Sequence, residues 1–166
     1  RSSDLTIPEI TAKHWAVNIR KHIAQIKSLE QLKDEGVLTE QIMQLLIGAV
    51  NAGMNILVSG ATQAGKTTLL NALASEISFS QRVITIEEVF EIRPRIPDVI
   101  QMQTRSANLQ GVGEISLRRL VKEALRMRPN RLIIGEVREA EALDLLIALN
   151  SGLPGMGTMH ANSARD

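Results

Sequence analysis

Apolar residues fall in two rhythms that alternate along this chain of 166 residues. Short runs, Ile56-Leu57-Val58, Val83-Ile84-Thr85-Ile86 and Leu132-Ile133-Ile134, have the length and β-branched content of strands buried on both faces. Val99-Ile100-Gln101-Met102-Gln103 predicts a further strand, and Gly157-Thr158-Met159-His160 a short last one. Between these runs the spacing turns helical. Leu69, Leu70, Leu73 and Ala74 make one apolar stripe in a helix over about 66–76. Leu117, Leu120, Val121, Ala124 and Leu125 make another, which opens at Ser116 and stops before Pro129. Ile42, Leu45, Leu46, Ala49 and Val50 predict the buried face of a helix from Thr39 to Gly53. Ser28-Leu29-Glu30-Gln31 has the form of a capping box, with Gly36 as its stop. A last helix is expected over 139–150 with Gly152 as its cap, and 106–114 reads as a glycine-containing loop. Residues 1–27 show no clear period, apart from an edge strand over 17–22.

Buried strands alternating with amphipathic helices imply an α/β fold with a mostly parallel sheet covered by helices on both faces. Composition adds mainly exclusions. Net charge is +1, and Trp15, Phe79 and Phe90 are the whole aromatic content. Neither a basic footprint nor a base-stacking surface is present, so direct nucleic-acid binding is not expected. Cysteine is absent, which excludes disulfides and thiolate metal sites and suits a reducing compartment. No apolar run approaches membrane-spanning length. The start at Arg1 without a methionine, and the stop at Asp166 within a motif, lead to the expectation of a fragment.

Chemistry concentrates behind the run Ile56-Leu57-Val58. Gly60, Ala61, Thr62, Gln63, Ala64, Gly65, Lys66, Thr67 and Thr68 have the spacing of a phosphate-binding loop. Gly60 and Gly65 let backbone N–H groups turn inward toward a polyphosphate. Lys66 reaches the outer phosphates, Thr67 offers a hydroxyl to Mg²⁺, and the next helix presents its positive dipole end. Ligands of open α/β sheets sit beyond the C-terminal strand ends, where Glu87, Glu88 and Glu136 are predicted. A carboxylate there can help hold Mg²⁺ or orient water for hydrolysis of a nucleoside triphosphate. His160, at another strand end, can donate to a γ-phosphate, whereas His14 and His22 read as structural. Arginines are dense between Arg105 and Arg138, including Arg119, Arg126 and Arg118 on the helix from Ser116. One or two of them are candidates for arginine fingers.

Taken together, the phosphate loop, Ile84-Thr85-Ile86-Glu87-Glu88, Leu132-Ile133-Ile134-Gly135-Glu136 and Gly157-Thr158-Met159-His160 resemble the Walker A, Asp box, Walker B and His box of the type II/type IV secretion ATPase superfamily. Stretches between the boxes look most like its tight-adherence (Flp/Tad) pilus-assembly branch. The resemblance implies a RecA-like P-loop ATPase domain over 37–166, with 1–36 as the end of an N-terminal domain and its linker. It further implies ATP and Mg²⁺ as cofactors and a homo-hexamer. The expected location is cytoplasmic, at the inner face of the membrane, on platform proteins of a pilus or secretion system. By family role Glu136 activates water, Glu87 and Glu88 help hold Mg²⁺ or water, and His160 senses the γ-phosphate. Arg20 falls where the family carries a basic residue near the nucleotide. The chain departs from the family pattern at Glu88, where aspartate is usual, at Gly135, and in the bulky Gln63 within the loop. Alternative expectations are a conjugation ATPase, or a regulatory module that binds nucleotide with little hydrolysis.

Overall fold

The structure is a computed structural model that describes residues 2–6, 10–20, 27–108, 110–137, 149–150 and 152–161. The chain opens with an antiparallel ribbon of β1 (Ser2–Thr6) and β2 (Ala16–Arg20). Leu5 pairs with Val17, and both are exposed. β1 has no counterpart in the sequence pattern, because a solvated ribbon need not show a repeating apolar face.

Two helices follow. α1 (Leu29–Asp34) begins with the capping box: Ser28 Oγ accepts the Gln31 N–H and Gln31 Oε1 accepts the Ser28 N–H. Its Leu29 and Leu32 are buried in the same cluster as Leu70 and Leu73. This helix therefore shares the core of the larger unit. α2 (Glu40–Asn51) is capped by Thr39 and buries Met43 and Val50, with Leu46 and Ile47 packed beside them. Of the expected face Val50 is buried and Leu46 and Ala49 are half-buried, whereas Ile42 and Leu45 are 47% and 71% exposed. Apolar residues surround much of this helix, so periodicity alone does not fix its rotation.

β3 (Ile56–Gly60), α3 (Lys66–Ala74), β4 (Val83–Glu87), β5 (Val99–Gln103), α4 (Leu117–Arg126), β6 (Arg131–Val137) and β7 (Gly155–His160) complete the described elements. Five strands form one parallel sheet in the order β3-β7-β6-β4-β5. Its two faces are covered separately. On one side Val83, Ile133 and Met156 join α1, α2 and α3; on the other Ile84, Ile86, Leu132 and Ile134 pack with α4. Strand alternation divides β6 between the two clusters, since Ile133 faces one and Leu132 and Ile134 the other. Leu57 is exposed, on the face of β3 opposite Ile56 and Val58, which pack against the core. Likewise Leu125 lies at the margin of the α4 stripe and is 37% exposed. Residues 139–148 of the expected last helix lie outside the described residues. Among the described residues no helix is long and apolar enough to cross a membrane.

Candidate functional site: a phosphate loop at the sheet edge

The chain leaves β3 at Gly60 and enters α3 at Lys66, so the loop joins a strand directly to a helix N-terminus. Gly65 is the N-cap residue, with φ 87° and no side-chain cap bond, which leaves first-turn N–H groups available to an anion. Gln63 also adopts a left-handed φ, 63°, although it carries a Cβ. Residues 61–65 are exposed. Lys66 Nζ folds back to donate to the carbonyls of Gly60 at 2.8 Å and Ala61 at 2.9 Å. Its charge is thereby held at the loop rather than released into solvent. Ala64 lies against Gly60: a Cβ at Gly60 would stand 3.4 Å from the Ala64 Cβ.

Strand order carries the other candidates to the same edge. Gly60 is in register with His160, the last residue of β7, which is exposed. β6 comes next. Ile134 pairs with Gly157 but Val137 pairs with Met159, so Gly135 and Glu136 form a bulge at the end of the strand. A bulge re-aims a side chain and is a frequent device beside functional sites. Glu136 there is half-buried. Thr158 Oγ1 donates to the Gly135 carbonyl at 2.5 Å and ties the bulge to β7.

Glu87 ends β4 and is 3% exposed. Its Oε2 accepts the N–H groups of Glu91 at 2.7 Å and Ile92 at 2.8 Å, while Oε1 accepts from Thr85 Oγ1 at 3.2 Å. Burial raises its pKa, and the three hydrogen bonds oppose that rise. With its oxygens engaged in this way, Glu87 fastens the backbone of residues 91 and 92 to the end of β4. It anchors the chain after β4. Gly135 explains itself against this carboxylate: a Cβ at Gly135 would stand 3.0 Å from Glu87 Cγ. Glu88, one residue beyond the strand, is exposed. It lines a cavity of about 250 Å³ with Arg105, Glu114 and Ser116. Arg105 Nε donates to the Gly113 carbonyl at 2.7 Å, so this arginine is anchored across the 106–114 loop. Arg119 and Arg126 are exposed on α4, where Arg126 sits 3.5 Å from Glu123. The side chain of Arg20 and all of Arg138 lie outside the described residues.

Two buried polar residues escaped the sequence reading. Asn71 is 4% exposed and donates to the carbonyls of Thr67 and Glu91, while its Oδ1 accepts the Arg93 N–H. Arg131 is 2% exposed, with Nη2 on the Val50 carbonyl at 2.7 Å and no partner for Nη1 among the described residues. The available signal was a polar residue within an apolar stretch: Asn71 interrupts Leu69-Leu70-Ala72-Leu73, and Arg131 immediately precedes Leu132-Ile133-Ile134.

The family model described as type II/IV secretion system protein matches residues 4–166. A Mycobacterium tuberculosis protein named for conjugal transfer is 39% identical over 158 residues, 95% of this chain and 45% of that protein. The type IV secretion system protein VirB11 of Bartonella henselae is 34% identical over 148 residues, 89% of this chain and 41% of its own length. Among solved structures, the VirB11 ATPase of the Brucella suis type IV secretion system, in complex with sulphate, superposes with a TM-score of 0.66. It is 32% identical, over 89% of this chain and 44% of that one. The chain therefore spans a little under half the length of the relatives it matches.

Proposed function

Because the chain belongs to the type II/IV secretion system protein family, we propose that it is the nucleotide-hydrolysing part of a secretion or pilus motor. One observation carries this reading. The register Gly60–His160, the bulge at Glu136 and the end of β4 set a phosphate loop, a histidine and carboxylates along one sheet edge. That is the arrangement needed to bind a nucleoside triphosphate and direct water at its outer phosphate.

The loop N–H groups and Lys66 bind the phosphates, and Lys66 exchanges its two carbonyl partners for phosphate oxygens as ATP enters. Among the described residues no three His, Asp or Glu side chains cluster to hold a metal ion by themselves. The hydroxyl of Thr67 and the carboxylate of Glu136 fit Mg²⁺, which keeps most of its shell from water and phosphate and takes one or two protein oxygens. Thr67 and Glu136 are the residues that would contribute them. Bound Mg²⁺ neutralises charge that develops on the phosphates. Glu136 orients or deprotonates the attacking water, His160 donates to the γ-phosphate, and Glu88 supplies charge at the same edge. Glu87 acts indirectly, by fixing the backbone that follows it. Arg20 and one or more of the arginines between 105 and 138 complete the site, either from the same chain or from a neighbouring copy in a hexameric ring.

We read residues 1–36 as the end of a preceding domain and its linker, with α1 packed into the core of the ATPase domain of residues 37–166, which is peripheral to the inner face of the membrane on platform proteins. Pilus assembly of the tight-adherence type and protein secretion are the leading roles. A conjugation-type role is the second reading, favoured by the relative named for conjugal transfer. Loss of pili, of secreted protein or of plasmid transfer in a deletion strain separates them. The test of the chemistry is phosphate release by the Lys66→Ala and Glu136→Gln variants. Removing a positioned acid–base group costs about 10²–10⁴-fold in turnover. Unchanged release in both variants refutes the mechanism, and nucleotide binding without turnover in the wild type favours a regulatory module instead.

A further inference from the structure

The backbone of residues 88–93 has no regular structure, and it is held by side chains. Gln103 Nε2 donates to the Glu88 carbonyl at 2.9 Å, and Gln101 Nε2 to the Ile92 carbonyl at 2.8 Å. Glu87 accepts the N–H groups of Glu91 and Ile92. Asn71 Nδ2 donates to the Glu91 carbonyl at 3.0 Å, and its Oδ1 accepts the Arg93 N–H at 2.9 Å. Three of these four side chains belong to the sheet. Asn71 alone of the four stands on α3, the helix that begins with Lys66 and Thr67, and it also donates to the Thr67 carbonyl at 3.1 Å.

We propose that Asn71 is a positioning residue that transmits occupancy of the phosphate loop to the segment 88–93, and through it to Glu88 and Glu87. The geometry suits that task. A planar carboxamide satisfies one donor and one acceptor of an extended segment at once, so displacement of α3 cannot be absorbed by one bond alone. The second donation, to Thr67, locks the same amide to the first turn of the helix, one residue after the lysine. Burial keeps water from substituting for any of the three bonds. A ligand that shifts Lys66 and the first turn of α3 therefore moves the backbone on which Glu88 is carried, and Glu87 receives the same motion through the Glu91 and Ile92 N–H groups.

The inference rests on the nucleotide-hydrolase reading, and its test has a readout besides turnover. Amide hydrogen exchange of the peptide containing Glu91, Ile92 and Arg93 is followed in the full chain with and without a non-hydrolysable ATP analogue and Mg²⁺. Wild type is expected to gain at least about tenfold protection there on binding. Asn71→Ala is expected to bind the analogue within about threefold of wild type, to lose that gain, and to turn ATP over at least tenfold more slowly at saturation. Asn71→Asp keeps the acceptor for Arg93 and loses both donations, so an intermediate response is expected and covers the case of an alanine variant that does not fold. Gln103→Ala loosens the segment from the sheet side and should raise basal exchange while keeping the nucleotide-linked gain. The proposal is overturned if both Asn71 variants keep the gain. It is equally overturned if they lose only thermal stability, with turnover of the folded fraction unchanged. A wild type that binds the analogue with the protection gain but never hydrolyses ATP refutes the hydrolase reading and leaves Asn71's role standing. A wild type that binds no nucleotide refutes both.

Discussion

Replacing Glu87 by alanine removes one acceptor shared by two backbone donors, the N–H groups of Glu91 and Ile92. Ile92 is fully buried, so its N–H loses its partner with no water to replace it, whereas Glu91 is half-buried and regains part of its solvation. An orphaned buried donor costs about 1–3 kcal/mol, which makes about 3 kcal/mol for this pair together with the lost packing. At about 2–4 °C per kcal/mol for a chain of this size, the melting temperature should fall by about 6–12 °C. Glu87→Gln is different in kind. Its amide oxygen can accept the same two N–H groups, and its NH₂ can donate to Thr85 Oγ1 in place of the bond that the carboxylate accepts. A loss under about 1 kcal/mol is expected. The comparison also has a pH signature. Burial raises the Glu87 pKa above the ordinary carboxylate value, so the folded state holds this proton more tightly than the unfolded chain. Stability from the protonated carboxyl is therefore complete below the unfolded value and is lost as pH rises through the folded one. The difference in stability between Glu87→Gln and wild type should accordingly shift in favour of the glutamine variant between acid and neutral pH. Gly135→Ala supplies the control, because its Cβ would meet a Glu87 Cγ that three hydrogen bonds hold in place. Its cost should shrink in the Glu87→Ala background, with a coupling energy of about 1 kcal/mol. Thermal and urea unfolding of the four variants and the wild type measure all of this. An alanine variant as stable as wild type, or a glutamine variant as damaged as alanine, refutes the reasoning.

Other substitutions probe the loop and the core. Gln63→Gly removes a Cβ from a left-handed position and should stabilise by about 0.5–1 kcal/mol, seen as a higher urea midpoint with an unchanged slope. Arg131→Ala leaves the Val50 carbonyl unpaired over a void and should cost about 2–4 kcal/mol, while Arg131→Met keeps the packed methylenes and should cost less than half as much in the same unfolding experiment. Ser28→Ala breaks the capping box of α1, whose Leu29 and Leu32 enter the core, and should lower stability by about 1 kcal/mol.

The strand, loop and helix around residues 56–74 were legible because their information is local: two glycines, a lysine and a threonine between an apolar run and an apolar stripe. The sheet was legible for a related reason, since strands covered on both faces appear as unbroken apolar runs. β1 and the rotation of α2 were not, because neither a solvated ribbon nor a helix apolar on several sides imposes one periodicity. The harder gap concerns roles that exist only through register. In the sequence Gly135 looks like a missing acid before Glu136, and Glu87 looks like a ligand waiting for a metal. In the folded sheet the two are one feature. The Glu87 side chain occupies the space that a side chain at position 135 would need, and uses its oxygens to fasten residues 91 and 92. Glycine at the bulge thus leaves room for a buried carboxylate on the next strand. The same logic locates Asn71, whose partner Arg93 lies beyond a whole strand in the chain. A polar residue in an apolar helix marks where such a partner must exist, but only the pairing of strands decides which segment supplies it.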